Sequence, residues 1–108
     1  MIDLSKLITA EQKQVAAGQA ALAALTSAMQ AHLDGTAKTR GYDGILSLCS
    51  YAASGNTTFA AEALAGVAWR DAVWSKGYEI QSAVMTGARA VPTADELLAE
   101  LPAIVWPA

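Results

Sequence analysis

Cys49 and His32 are each the single member of their kind, so the chain offers one thiol and one imidazole for a nucleophile and base pair. The residues around them do not favour that use. Ile45, Leu48, Cys49 and Ala52 recur at i, i+3, i+4 and i+7, which places Cys49 on the apolar face of a short helix, where a free thiol packs as a small hydrophobe. Ser47, Ser50 and Tyr51 fall away from that face. A metal site built on one Cys and one His would need carboxylates from scattered positions, and no spacing supplies them. The neighbouring carboxylates Asp95, Glu96 and Glu100 belong to the first turns of a helix, where negative charge complements the dipole rather than moving protons. No GxGxxG or GxxxxGK follows a strand, and the glycines read as turns and close helix contacts. With no nucleophile, base and oxyanion set to assemble, the expectation is a protein with no catalytic, cofactor or metal site.

The segment Trp69, Arg70, Asp71, Ala72, Val73, Trp74 is the most distinctive in the chain. By helical angle Arg70 lies between the two indoles, toward the apolar side, so its guanidinium can stack on an indole or pair with a carboxylate such as Asp43. One reading is a core Trp pair with a snorkelling Arg. The other is an aromatic and Arg hot spot for a protein partner, with Arg70 and Trp74 making the contact. The ending AIVWPA is a second candidate, since its one polar side-chain atom is the Trp106 indole nitrogen. Ile104, Val105 and Trp106 must therefore fold back over the helices or dock on a partner.

The elements that would position these residues are helices. From Thr57 to Ala90 there is no Pro, and the periodicity predicts a central helix over about 58–88, capped by Thr57 or Thr58 and about 45 Å long. Trp69, Val73, Ile80 and Val84 share one side, flanked by Val67, Trp74, Tyr78 and Met85, while Asp71, Ser75, Glu79, Ser82 and Thr86 lie opposite. Such a wide apolar face predicts neighbours on more than one side. A first long helix over about 10–34 should open at a capping box of Thr9 and Gln12 and stop at Gly35. Its seam of Val15, Leu22 and Met29, with Leu25 and Leu33 beside it, is interrupted for a coiled coil by Gly18 and His32, which favours packing within the chain over self-association. Asp43 should cap a short helix over about 44–53, and Ser54, Gly55 and Asn56 should turn the chain. Gly87 and Pro92 bracket the exit from the central helix. A second capping box, Thr93 with Glu96, opens a helix over about 94–101 that should bury Leu97, Leu98 and Leu101. The expectation is an all-α bundle forming a single domain over 1–108, with a leader at 1–8 and an apolar tail at 102–108.

The totals agree with one small domain. At 108 residues the chain would bury roughly 65% of its unfolded surface. Hydrophobic residues are 54% and charged residues 16%, short of the usual quarter, which hints at surface covered in an assembly. A net charge of -3 without a basic cluster argues against nucleic acid as a partner. One Cys excludes an internal disulfide and is compatible with a reducing compartment. Neither a signal peptide nor a membrane span is expected, because no apolar stretch is long enough.

The leader MIDLSKLITAE, the segments RGYDGILSLCSYA (40–53) and VAWRDAVW (67–74), and the ending VPTADELLAELPAIVWP together resemble small tail-gene-associated proteins of tailed bacteriophages and prophages. The resemblance covers most of the chain, in four segments in the same order, and carries no catalytic residues with it. It implies a tail or tail-fibre structural component, or an assembly factor, made in the host bacterial cytoplasm and ending, as a structural part, in the virion tail. The implied partner is a phage tail or tail-fibre protein, or a second copy of the chain. The alternative is a small regulatory protein that binds and modulates a host or phage target. A virion part would be found in purified particles, and a regulator would not.

Overall fold

The computed structural model describes residues 10–108, with side chains described from Ala17 onward. The leader, the Thr9 and Gln12 capping box and Val15 of the seam lie outside the described residues or side chains. Among the described residues there are four α-helices and no strand: α1 (Ala10–Thr39), α2 (Ile45–Ser50), α3 (Thr57–Met85) and α4 (Ala94–Glu100), with a single 3-10 turn at Tyr51–Ala53 after α2. The all-α reading holds, and the fold is elongated, 69 × 28 × 20 Å.

Helix α1 does not stop at Gly35. It continues to Thr39 because Ala37, fully buried, packs into the core, and Thr36 closes its hydroxyl onto the His32 carbonyl at 2.8 Å. The true stop is Gly41, at φ 89. There the Tyr42 amide donates to the Ala37 carbonyl (3.2 Å) and the Gly41 amide to the Lys38 carbonyl (3.0 Å), the paired bonds of a Schellman motif. Helix α3 ends in the same way at Gly87, φ 79, with Ala88 N–H on Ala83 O (2.8 Å) and Gly87 N–H on Val84 O (3.1 Å). Gly at these two positions removes the Cβ penalty of a left-handed backbone.

The start of α2 is a second correction. Asp43 is exposed and Gly44 holds the cap position without a side chain to offer. The cap comes instead from α1: Asp34 Oδ1 accepts from the Ile45 amide at 3.0 Å. That bond is the main reason the Asp34 carboxyl is held below its usual range, with Gln30 adding a second donor. Likewise Asn56, not Thr57 or Thr58, caps α3, its Oδ1 accepting from Phe59 N–H at 3.1 Å. The Thr93 cap of α4 is as the sequence suggests, its hydroxyl accepting from the Glu96 amide at 3.1 Å.

The core runs along one ridge of α1, where Leu25, Met29, Leu33 and Ala37 recur every four residues and are all buried. The buried residues of α3 are Ala63, Gly66, Trp69, Val73, Gly77 and Ile80. The two glycines are close helix contacts, as the sequence suggests. A Cβ on Gly66 would lie 2.5 Å from Leu48 Cδ2, and one on Gly77 would lie 2.7 Å from Met29 Sδ. Gly66 thus meets α2 and Gly77 meets α1, at different places along α3, and the wide apolar face expected of α3 is only partly covered. Val67, Trp74 and Val84 are half-buried, but Tyr78 is 67% exposed and Met85 72% exposed. Ile45 and Leu48 from α2, and Leu97 and Leu101 from α4, close the remaining sides, with Leu98 half-buried beside them. Each such full burial stabilises by about 1.5–3 kcal/mol.

Candidate protein-contact site

Three of the five contact residues named from sequence belong to the tail, and the tail folds back. The Trp69 indole N–H, in a side chain only 4% exposed, donates to the Pro102 carbonyl at 2.7 Å. This bond anchors the first tail residue to the middle of α3. Beyond it Ile104 and Trp106 are half-buried against the core, and the Arg40 guanidinium lies 4.5 Å above the Trp106 ring centroid, within cation–π range. Val105 points outward, 83% exposed. Upstream, Arg89 and Glu100 form a two-pronged pair at 2.9 Å in each prong, clipping the α3–α4 connection to α4. The tail is therefore a cover for the bundle, and Val105 is its outward-facing residue.

Arg70 and Trp74 do not form one hot spot. Arg70 neither stacks on an indole nor reaches Asp43. Its Nη2 lies 3.2 Å from Oδ1 of its chain neighbour Asp71, and the guanidinium also stands near the Cys49 thiol. Both charges are part-exposed, so the pair contributes little to stability. Trp74 lies one turn further along and is half-buried in a different place, the trough between α1 and α3.

That trough is the site the helices build. It is a narrow apolar hollow of about 80 Å³, walled by Leu22, Leu25 and Met29 of α1 and by Trp74, Gly77 and Tyr78 of α3, with Leu97 of α4 also lining it. Gly77 makes it possible: with no side chain there, Met29 settles against the α3 backbone and the trough deepens between Trp74 and Tyr78. Trp74 and Tyr78 stand four residues apart on one face of α3, so both reach the same partner surface. Each has an apolar body and a polar tip, the combination enriched in protein interfaces. Tyr78 was expected to flank the core. Its four-residue spacing from Trp74, with Gly77 beside it, is the sequence signal for this trough.

The residues first considered for chemistry are placed apart from it. Burial pushes the Cys49 thiol up, against a smaller pull from the Arg70 charge, so the nucleophilic thiolate is disfavoured. His32 lies edge-on to Trp69, ring centroids 5.7 Å apart, as part of the packing around that indole. Among the described residues, no three His, Cys, Asp or Glu side chains are grouped to hold a metal ion, and no helix is long and apolar enough to cross a membrane. No protein-family model, curated protein or solved structure matches the chain.

Proposed function

We propose that this chain is a non-enzymatic protein of tailed bacteriophages or prophages that acts through protein contacts, as a tail or tail-fibre structural component or as an assembly factor. The observation that carries the contact reading is the open trough between α1 and α3, whose α3 wall presents Trp74, half-buried, and Tyr78, 67% exposed. A chain of this size gains from covering such a surface, because its own core is modest. The four-segment resemblance supplies the tail setting: a phage tail or tail-fibre protein, or a second copy, as partner, met in the host bacterial cytoplasm during assembly. Net charge -3 without a basic cluster favours a protein over a nucleic acid in that role.

The test is mass spectrometry of purified particles together with electron microscopy of particles made without the gene. A structural component is present in particles, and its loss removes or deforms tails. An assembly factor is absent from particles, and its loss has the same effect on tails. Absence from particles with normal tails in the deletion strain overturns the reading.

A further inference from the structure

Helix α3 carries a second stripe beside its buried face. Val67, Asp71, Trp74, Tyr78, Gln81 and Met85 alternate at spacings of four and three residues, the repeat that keeps one seam of a helix turned toward a partner helix. The seam runs alongside the buried residues Trp69, Val73 and Ile80 and shares none of them. Val67 and Trp74 are half-buried, and Asp71, Tyr78, Gln81 and Met85 are exposed. On its inner margin lies the trough, which Trp74, Tyr78 and Gln81 line from α3. On its outer margin stand Ala68, Ser75 and Ser82, all exposed, small and uncharged, so a second helix can approach closely there. Asp71 gives only Oδ1 to its pair with Arg70, which leaves Oδ2 outside that pair.

We infer that a second copy of the chain occupies this seam, with the two α3 helices antiparallel about a two-fold axis next to Lys76. The order of residue types along the seam argues for that partner. An axis so placed sets Trp74 against Tyr78 of the second copy, Val67 against Met85 and Asp71 against Gln81, each pair occurring twice. Large apolar side chains then meet large apolar ones, and the two polar positions of the seam meet each other, with the Gln81 amide donating to the Asp71 carboxylate. Other registers break this match. Sliding by one heptad sets Asp71 against Trp74 and Gln81 against Leu64, or in the other direction Gln81 against Tyr78, which covers polar groups without partners. Parallel helices would set Asp71 against Asp71, two like charges. The seam is thus complementary to itself in one orientation and one register. The inference rests on the contact reading of the trough, whose α3 wall it uses, and adds the identity of the partner.

The experiment is sedimentation velocity on the full chain at concentrations up to about 1 mM. A monomer–dimer equilibrium is expected, weakened by about tenfold or more in Tyr78→Glu. Gln81→Glu, which faces Asp71 of the second copy with a like charge, should weaken it by about threefold or more at low salt, and Gln81→Lys should tighten it by a similar factor, both effects fading at high salt. Positions 78 and 81 are exposed, so these variants should keep the wild-type circular dichroism spectrum. Orientation is read with a short bis-maleimide in a Cys49→Ser background. Ser75→Cys, next to the axis, should link to its own copy, whereas Ala68→Cys should not, and should link to Ser82→Cys when the two proteins are mixed. A chain that stays monomeric at about 1 mM, a dimer indifferent to Tyr78→Glu and to charge at position 81, or an Ala68→Cys protein that links to itself would overturn the inference. A monomer that still needs Tyr78 to build tails would strike the second copy alone and leave the trough to another tail protein. A dimer whose gene can be deleted with normal tails would strike the tail reading alone.

Discussion

Replacing Trp69 probes the point where helix packing and the tail meet. The indole is 4% exposed, lies edge-on to His32, and donates its N–H to Pro102 at 2.7 Å. Trp69→Ala removes a large buried aromatic and leaves a cavity that Leu33 and Val73, both fully buried, cannot readily fill. The expected cost is about 3–5 kcal/mol, a large share of the roughly 5–15 kcal/mol that holds such a domain folded. Trp69→Phe keeps most of the ring but loses the donor, and should cost about 2 kcal/mol, of which about 1 is the hydrogen bond. The two parts separate in a chain ending at Leu101, where Pro102 is missing. There the Trp69→Phe penalty should shrink by about 1 kcal/mol, the coupling between indole and tail. Urea unfolding followed by circular dichroism reads all five proteins, provided the slope with denaturant is unchanged. A Trp69→Ala loss below about 1 kcal/mol would place this indole outside the core and refute the packing described. An undiminished Trp69→Phe penalty in the shorter chain would refute the anchoring of the tail.

Further outcomes follow from the helix contacts and caps. Gly66→Ala drives a Cβ to 2.5 Å from Leu48 Cδ2, in a side chain of α2 that is fully buried, so overpacking of about 1–3 kcal/mol should outweigh the gain of up to about 1 kcal/mol in helix propensity. Gly35→Ala, with nothing within 4 Å, should stabilise by about 0.5–1 kcal/mol; thermal melts giving the opposite order would contradict the packing of α2 on α3. Asp34→Ala should cost about 1 kcal/mol at pH 7, as loss of a cap does. Because the folded-state pKa of Asp34 lies below its unfolded value, its charge-dependent contribution is present above about pH 4 and fades as pH falls through the folded value. The gap between variant and wild type should therefore narrow in acid, and a gap that widens there would exclude the carboxylate as the cap. Cys49, its thiol raised by burial, should alkylate at pH 8 more slowly than a free small-molecule thiol and speed up on unfolding; equal rates would show it to be an exposed nucleophile.

Helix content was readable because long Ala-rich and Pro-free stretches leave the chain few alternatives. Helix ends were less so, for a reason Gly35 illustrates. Its cost inside α1 is met by the burial of Ala37 two residues later, a tertiary term that local sequence does not display. The cap of α2 came from Asp34, eleven residues away from the amide it holds, where local rules favoured Asp43. On α3 the periodicity set Tyr78 and Met85 on the flanks of the apolar face, whereas α1 meets α3 at Gly77, where Met29 lies against the backbone, and both flanking side chains stand exposed. The trough lies at that contact. The tail's composition announced that it needed a cover, but its holders, the Trp69 N–H and the Arg40 guanidinium, lie on α3 and at the end of α1.

The claim that matters most is that the chain works through the α1–α3 trough in building tails, and complementation tests it most directly. In the host that carries the gene, a deletion strain would be supplied with the wild-type chain or with Tyr78→Glu, a change at a 67% exposed position that leaves the core intact. The account predicts that the wild-type chain restores normal tails, scored by electron microscopy and infectivity, and that the stably folded variant does not. Normal, infectious particles from the deletion strain, or full rescue by Tyr78→Glu, would contradict it.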